Sequence, residues 1–425
     1  MIVKPAKNVV GSLRLPGDKS ISHRYAVLAS IANGVSRFQN FSTGDDCAST
    51  LSCIQALGAI VRRTEAGVIE IEGRGPQLLA PPAPLDCGNS GSTMRMLAGI
   101  LAGQHFSSEL RGDASLSRRP MARIVEPLVR MGARVQAQHG SVCPLQISGG
   151  KLSSIDYSMP VASAQVKSAI LFAALLASGT TTIEEPLRTR DHGELGLRAF
   201  GAELQRSRNR VSIAGGQSLS AISAGIPGDI SSAAFFMCAA AIFPGSNLVF
   251  DDLLLNPTRA GLLDVLTGMG ARISVINLQD HHGELVGTVK VEHGRLKGAK
   301  ISGAQSAALI DELPALAAIA PFTEDGIEVR DARELRVKES DRIATIAQGL
   351  RTMGAEVHEF DDGFRVPGGQ LLHGAEVDSA GDHRIAMALT VAALKATGES
   401  KIRGAEAVSI SFPEFFKILN LVVDR

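Results

Sequence analysis

Six times along the chain a short polar opening runs into a helix-length stretch of small apolar residues, and this recurrence constrains the fold more than any other feature. The openings are GDKSISHR from Gly17, GNSGSTMR from Gly88, ASAQVKS from Ala162, GDISS from Gly228, DELP from Asp311 and GDHR from Gly381. They lead into AVLASIANG, MLAGILAG, AILFAALLASG, AAFFMCAAAIFPG, ALAAIAPFTEDG and IAMALTVAALKATG. A helix apolar on every side has to be buried, so the core must be built from helices. The glycine closing each stretch suits a left-handed C-cap. In the first opening Pro16-Gly17 reads as a turn and Ser20 as the N-cap of the helix. Arg24, four residues on, can face the same side as Ser20, and Lys19 stands just outside, where free N–H groups and the helix dipole favour an anion; alone, the segment reads equally as a solvated basic helix start.

A second echo lies between these helices. Ile54-Gln-Ala-Leu-Gly-Ala, Leu128-Val-Arg-Met-Gly-Ala, Leu197-Arg-Ala-Phe-Gly-Ala, Leu266-Thr-Gly-Met-Gly-Ala and Leu350-Arg-Thr-Met-Gly-Ala each close a more amphipathic helix. Four of the five pass directly into alternating sequence of strand type, such as Ala271-Arg-Ile-Ser-Val. The last repeat, ending in FPEFFKIL, lacks that strand. The repeat is therefore buried helix, strand, outer helix and strands, with a period of about 65 to 85 residues. No repeat resembles a polar terminal cap, so two lobes of three repeats are expected rather than a solenoid. The expected lobes are residues 1–16 plus 229–425, and 17–228. Residues 1–14 would pair with the C-terminal half, and hinges would lie near 16–18 and 225–229.

The 425 residues exceed one ordinary core. With 43 basic and 43 acidic residues, nothing in the net charge points to nucleic acid or an anionic membrane. The absence of Trp and the presence of only two Tyr argue against base-stacking platforms. Five cysteines without a Cys-x-x-Cys pair read as reduced core thiols. The longest apolar run, Ala233 to Phe243, stops at Pro244, short of a membrane span, and the N-terminus lacks the apolar core of a signal peptide. A cytoplasmic protein is expected.

The polar residues that merit attention lie at or beside the helix openings. Arg118-Arg119 precede a helix and read as surface charge or as anion ligands. Ser163 opens the third buried helix with Gln165, either as a cap or as a ligand. Asp311-Glu312 fit a dipole-matched first turn, yet Asp311 follows Ala-Ala-Leu-Ile, where burial would favour a base. Lys338 and Arg342, four apart, would share a helix face with Glu339 beside them, as salt-bridged surface or as a site. Asp382-His383-Arg384 opens the sixth buried helix in the manner of Lys19 to Arg24. No metal-ligand spacing, Walker loop or nucleophile elbow occurs. Cations scattered over helix starts suit a substrate with several phosphates or carboxylates.

The set LPGDKSISHR, GNSGSTMR, SRRPM, SAQVKSAIL, TRDHGE, LIDELPALA, ELRVKESDR, GDHRIAMA and SFPEFF, in this order over nearly the whole chain, resembles the 5-enolpyruvylshikimate-3-phosphate (EPSP) synthase family. The resemblance implies a two-lobed inside-out α/β barrel of six βαβαββ repeats, three per lobe. It implies transfer of the enolpyruvyl group of phosphoenolpyruvate to the 5-hydroxyl of shikimate 3-phosphate, with release of phosphate, on the way to chorismate. No metal or organic cofactor is implied, and a monomer is expected. By motif, Lys19, Ser20, Arg24, Ser163, Gln165, Arg190, Asp311 and Lys338 would hold shikimate 3-phosphate in a site between the lobes. Lys19, Gly91, Arg119, Gln165, Arg342 and Arg384 would hold phosphoenolpyruvate. Asp311 would be the base, Glu339 with Lys338 the proton donors, and His383 the support of Glu339, with Lys19 serving both substrates.

Ala164, Glu334 and Ile410 stand where the enterobacterial pattern has a serine, an asparagine and a lysine. Lys167 and Arg190 look instead like the Gram-positive and agrobacterial branch. Gly91 implies sensitivity to glyphosate, because resistant members carry alanine there. Two other readings compete. One is the sister UDP-N-acetylglucosamine enolpyruvyl transferase, which usually carries a reactive loop cysteine and a Lys-Asn-Ala opening. The other is a non-catalytic repeat scaffold that binds phosphorylated ligands.

Overall fold

The computed structural model describes residues 1–425. They divide into a first unit, Gly17–Ile226 with Asp280–Glu284, and a second unit, Met1–Pro16 with Pro227–Gln279 and Leu285–Arg425. Residues Asp280–Glu284, at the turn between the strands Arg272–His281 and Glu284–Glu292, group with the first unit, so the stretch 229–425 is not one continuous lobe segment as expected.

The first unit contains the buried helices Lys19–Ser30, Gly91–Ala102 and Ala164–Leu175. The second contains Ile230–Ile242, the short Leu313–Ile319 with its continuation Ala320–Phe322, and His383–Leu394. Every residue of Ile230–Ile242 and of His383–Leu394 is buried, as helices apolar all round require. Small side chains let the backbones come close. At Gly99 a Cβ would sit 2.2 Å from the Ala169 carbonyl oxygen, so glycine alone permits helices Gly91–Ala102 and Ala164–Leu175 to pack as they do.

All the openings but that of Leu313–Ile319 are capped by polar side chains, which satisfy N–H groups that no helical carbonyl can reach. Asp18 accepts from Ile21 N at 2.9 Å, Ser90 from Thr93 N at 3.1 Å, Asp229 from Ser231 N at 2.7 Å and Asp382 from Arg384 N at 2.9 Å. The first cap is thus Asp18 and not the expected Ser20. An ionised carboxylate accepts more strongly than a hydroxyl, and the helix accordingly starts at Lys19.

The closing glycines also differ from expectation. Gly34, Gly179, Gly245, Gly326 and Gly398 adopt positive φ, but three or four residues beyond the helical turn, where the chain reverses into the next strand. Gly103 has φ −93° and needs no special conformation. The left-handed caps belong instead to the second echo. Gly58, Gly132, Gly201, Gly270 and Gly354 have φ between 92° and 114°. In each case the following alanine N–H bonds the carbonyl five residues back, as Ala59 does to Ile54 at 3.1 Å and Ala355 to Leu350 at 2.9 Å. That is the Schellman pattern.

In the first unit each repeat has a four-stranded sheet with a parallel edge strand. Leu85–Asp86 lies parallel to Ser107–Arg111, and Asp156–Ser158 to Thr180–Glu184. For Val35–Gln39 that neighbour is Ser223–Gly225, from the end of the unit, so the three repeats close on themselves. In the second unit the N-terminal strand Asn8–Arg14 fills the equivalent place. It runs parallel to Asn247–Leu254, with Val10 opposite Asn247. The last repeat does have a terminal strand: Val423–Asp424 pairs antiparallel with Asn8 and Val9. Strands such as Val35–Gln39 bury alternate residues, so in each unit helices lie inside and sheets face water. The order strand, helix, strand, helix, strand, strand is the βαβαββ repeat.

Candidate active site

The first unit gathers its polar residues around three helix openings. Lys19 Nζ lies 3.0 Å from Asp46 Oδ2, both largely shielded from solvent. Arg24, one turn on, donates from Nε to Ser168 Oγ at 3.2 Å and from Nη1 to the Ser20 carbonyl at 2.9 Å. It thereby ties the helix Lys19–Ser30 to the helix Ala164–Leu175. His23 is fully buried, and its Nδ1 meets Thr50 Oγ1 at 2.7 Å. Burial first, then the charges of Lys19 and Arg24, hold this imidazole well below the usual histidine range, so it is neutral. Thr50 bonds Thr93 at 2.6 Å, and Thr93 bonds Ser90, the cap of the helix Gly91–Ala102, at 2.7 Å.

At that helix start Gly91 faces two guanidinium groups. A Cβ built on it would fall 2.6 Å from Arg95 Nη1 and 3.6 Å from Arg119 Nη1. Arg95 Nη1 donates to Gln165 Oε1 at 2.7 Å, and Gln165 Nε2 donates to Ser92 Oγ at 2.7 Å, which fixes the Gln165 amide. Arg119 is held by Asn89 and by Ser115. Ser163 Oγ accepts a long 3.4 Å bond from Val166 N, so its hydroxyl serves as the cap. Arg190 sits in the loop between the strand Thr180–Glu184 and the helix His192–Ala199. A helix N-terminus flanked by two arginines is suited to an anion.

The second unit assembles the remaining residues. Asp311 Oδ1 lies 3.7 Å from Lys338 Nζ, 3.5 Å from Arg342 Nη1 and 3.7 Å from Arg384 Nε. Arg384 Nη1 also donates to the Asp311 carbonyl at 3.1 Å. Arg342 is buried and donates to Glu339 Oε2 at 2.6 Å and to Asp382 Oδ2 at 2.8 Å. Burial pulls its guanidinium down, but Asp382, Glu339 and Asp311 outweigh burial and raise it, so it stays charged. His383 is fully buried at the opening of its helix. Three carboxylates and three cations thus interleave, with Asp311 and Lys338 retaining partial access to solvent.

Within the first unit the structure links Lys19, Ser20, Arg24, Gly91, Arg119, Ser163 and Gln165 through these helix openings. Within the second it brings Asp311, Lys338, Glu339, Arg342, His383 and Arg384 together. Several residues escaped the sequence reading. Arg95 and Asn89 belong to the GNSGSTMR opening, and a search for polar side chains one turn into each helix would have found Arg95. Asp46, the partner of Lys19, is the second of an Asp45-Asp46 pair at another helix start. Asp382, which orients Arg342, was noted only as part of an opening. No group of three or more His, Cys, Asp or Glu is arranged to hold a metal, and no helix is long and apolar enough to cross a membrane.

A family model described as EPSP synthase (3-phosphoshikimate 1-carboxyvinyltransferase) matches residues 3–419. A 3-phosphoshikimate 1-carboxyvinyltransferase of Koribacter versatilis (strain Ellin345) is 62% identical over 423 residues, covering 100% of this chain and 99% of its own. Another, from Solibacter usitatus (strain Ellin6076), is 51% identical and covers 99% of each chain. Among solved structures, an EPSP synthase from Acinetobacter baumannii superimposes with a TM-score of 0.88 at 40% identity, over 99% of this chain and 97% of its own. The enolpyruvyl transferase NikO from Streptomyces tendae has a TM-score of 0.80 at 18% identity over 100% and 97%, a likeness of fold alone.

Proposed function

From the premise that the chain belongs to the EPSP synthase (3-phosphoshikimate 1-carboxyvinyltransferase) family, we infer that its two polar clusters serve a single reaction, with the roles that follow. The chain is a transferase of aromatic amino acid biosynthesis. It moves the enolpyruvyl group of phosphoenolpyruvate onto the 5-hydroxyl of shikimate 3-phosphate and releases phosphate.

Shikimate 3-phosphate is held by Lys19, Ser20, Arg24, Ser163, Gln165, Arg190, Asp311 and Lys338. Phosphoenolpyruvate is held by Lys19, Gly91, Arg119, Gln165, Arg342 and Arg384. The addition step takes the proton of the 5-hydroxyl to Asp311 as that oxygen bonds the central carbon of phosphoenolpyruvate. Glu339, with Lys338, delivers a proton to the methylene carbon. Elimination runs both transfers in reverse: Glu339 takes a proton back from the resulting methyl group, and Asp311 returns its proton to the departing phosphate as the C–O bond breaks. His383, enclosed by protein, supports the Glu339 carboxylate and does not touch substrate. Lys19 and the arginines offset the two phosphates and the carboxylate, which is where fixed charge contributes most to rate.

The observation that carries this assignment is the Asp311 carboxylate set within 3.5–3.7 Å of Lys338, Arg342 and Arg384. It is tested by running the reaction in deuterium oxide. Reversible protonation at the methylene carbon places deuterium in unreacted phosphoenolpyruvate, and Glu339→Gln should slow this exchange at least as much as turnover. Exchange at the wild-type rate in that variant would remove Glu339 from the proton path. The protein is further proposed to be monomeric and cytoplasmic, with the two units described above as its lobes and hinges near 16–18 and 225–229.

A further inference from the structure

Lys167 is the most deeply enclosed cation of the first unit, with a side chain 0% exposed, and it reaches no substrate group assigned above. Its ammonium lies 3.1 Å from Glu185 Oε2 and 2.8 Å from Glu194 Oε1. Arg206 closes the ring, approaching the same two carboxylates at 3.4 Å and 2.5 Å. One buried cation and one partly exposed cation balance two buried anions, which is the condition under which such charges are tolerated.

The position of this ring in the chain gives it a purpose. Lys167 lies two residues after Gln165 and four after Ser163, on the helix Ala164–Leu175. The neighbouring Ser168 receives Arg24. Glu185 leads into the loop that carries Arg190, and its Oε1 accepts both the N–H of Thr189, at 3.1 Å, and the Thr189 hydroxyl. Asn209 Nδ2 donates to the Glu185 carbonyl at 2.7 Å. Glu194 sits in the first turn of the helix His192–Ala199, which begins just after Arg190. That helix packs tightly here, since a Cβ on Gly193 would fall 2.7 Å from Ser168 Oγ. One lysine therefore clamps both ends of the Arg190 loop to the helix that carries Ser163 and Gln165.

We propose that Lys167 is a positioning residue for the acceptor substrate: through Glu185 and Glu194 it fixes the distance between Arg190 and the Ser163–Gln165 helix opening, and so sets affinity for shikimate 3-phosphate. The proposal rests on the reading that Arg190 and Ser163–Gln165 hold that substrate. Gln165, which serves both substrates, shares the helix with Lys167 but is held on its own by Arg95 and Ser92, and Gly91 and Arg119 stand on other elements, so what Lys167 positions is the Arg190 loop and the effect falls on the acceptor.

The test compares steady-state kinetics of Lys167→Met, Thr189→Val and Arg190→Ala with wild type, with folding checked by circular dichroism. Thr189→Val removes the hydroxyl tie and leaves all four charges of the ring in place, so it reports on the loop even where Lys167→Met does not fold. The expected result is a KM for shikimate 3-phosphate raised about tenfold or more in Lys167→Met and about three- to tenfold in Thr189→Val. The KM for phosphoenolpyruvate and kcat should stay within about twofold, and Lys167→Arg should recover part of the loss. A folded Lys167→Met with an unchanged acceptor KM overturns the proposal. So does a Thr189→Val enzyme indistinguishable from wild type while Lys167→Met loses kcat and both KM values together. If Arg190→Ala leaves the acceptor KM unchanged, the underlying assignment of Arg190 fails and the proposal falls with it. If Arg190→Ala raises it and the other variants do not, only the role of Lys167 is refuted.

Discussion

Replacing Asp311 by Asn separates the role of a base from that of a charge in the network. The substitution keeps the shape of the side chain but removes the one carboxylate that faces Lys338, Arg342 and Arg384 at 3.5–3.7 Å. Each of those attractions amounts to about 4–5 kcal/mol at an effective dielectric constant of about 20. Desolvation offsets most of that gross figure. Arg342 also keeps Asp382 and Glu339, and Lys338 reaches water, so the loss of stability should be about 1–2 kcal/mol and Tm should fall by a few degrees. Catalysis should suffer far more. Loss of a general base costs about 10²- to 10⁴-fold in rate, or about 3–5 kcal/mol of barrier. The cluster of Asp311, Glu339 and Asp382 against Lys338, Arg342 and Arg384 moves from balance to one net positive charge, so the anionic donor should bind no more weakly. Phosphate release followed at varied donor and acceptor should therefore show kcat down by about a hundredfold or more, with the KM for phosphoenolpyruvate unchanged or lower. A kcat within about tenfold of wild type would refute Asp311 as the base. A risen KM for shikimate 3-phosphate with kcat near wild type would make Asp311 a binding residue only.

Lys19→Ala should leave a soluble, folded protein whose kcat drops about a hundredfold or more, because the lysine offsets charge on both substrates; a fully active variant removes Lys19 from the mechanism. Glyphosate should inhibit the wild-type enzyme, and Gly91→Ala should weaken that inhibition while raising the donor KM a fewfold, since the new Cβ crowds Arg95 Nη1 at 2.6 Å and disturbs its bond to Gln165. Equal inhibition of both enzymes would contradict this. The lowered pKa of His23 makes stability depend on pH. Its folded value lies below the unfolded value of about 6.5, so its contribution is complete above that pH and is lost as pH falls below it. Between pH 6.5 and 5.5 the loss should be about 1 kcal/mol, and His23→Asn should flatten the urea-unfolding dependence by that amount; an unchanged slope would show that His23 is already charged.

The repeat was legible because its helices are apolar on all sides, a pattern that only burial explains, and Ile230–Ile242 and His383–Leu394 are enclosed along their whole length. The Gly-Ala echo was equally visible, but its meaning was not. Apart from Gly103, both sets of glycines take positive φ, and only hydrogen bonding distinguishes Gly58 as a Schellman cap from Gly34 as a turn residue. The N-cap at Asp18 was missed because Ser20 is an equally good cap by residue type, and the choice depends on where the Pro16-Gly17 turn releases the chain. Strand handover at Ser223–Gly225 is a long-range pairing with Val35–Gln39 that no local pattern announces. The site residues stood out as charges at helix openings. Their partners did not: Asp46 lies 27 residues from Lys19, and Glu185 lies 18 from Lys167. Buried ion pairs of this kind leave no periodic trace in sequence.

The most direct measurement mixes the purified chain with phosphoenolpyruvate and, in separate reactions, shikimate 3-phosphate or UDP-N-acetylglucosamine, and follows inorganic phosphate. Release with shikimate 3-phosphate alone, in step with appearance of its 5-enolpyruvyl ether, is the expected result. Release with UDP-N-acetylglucosamine and none with shikimate 3-phosphate would contradict the account, as would binding of both substrates without turnover.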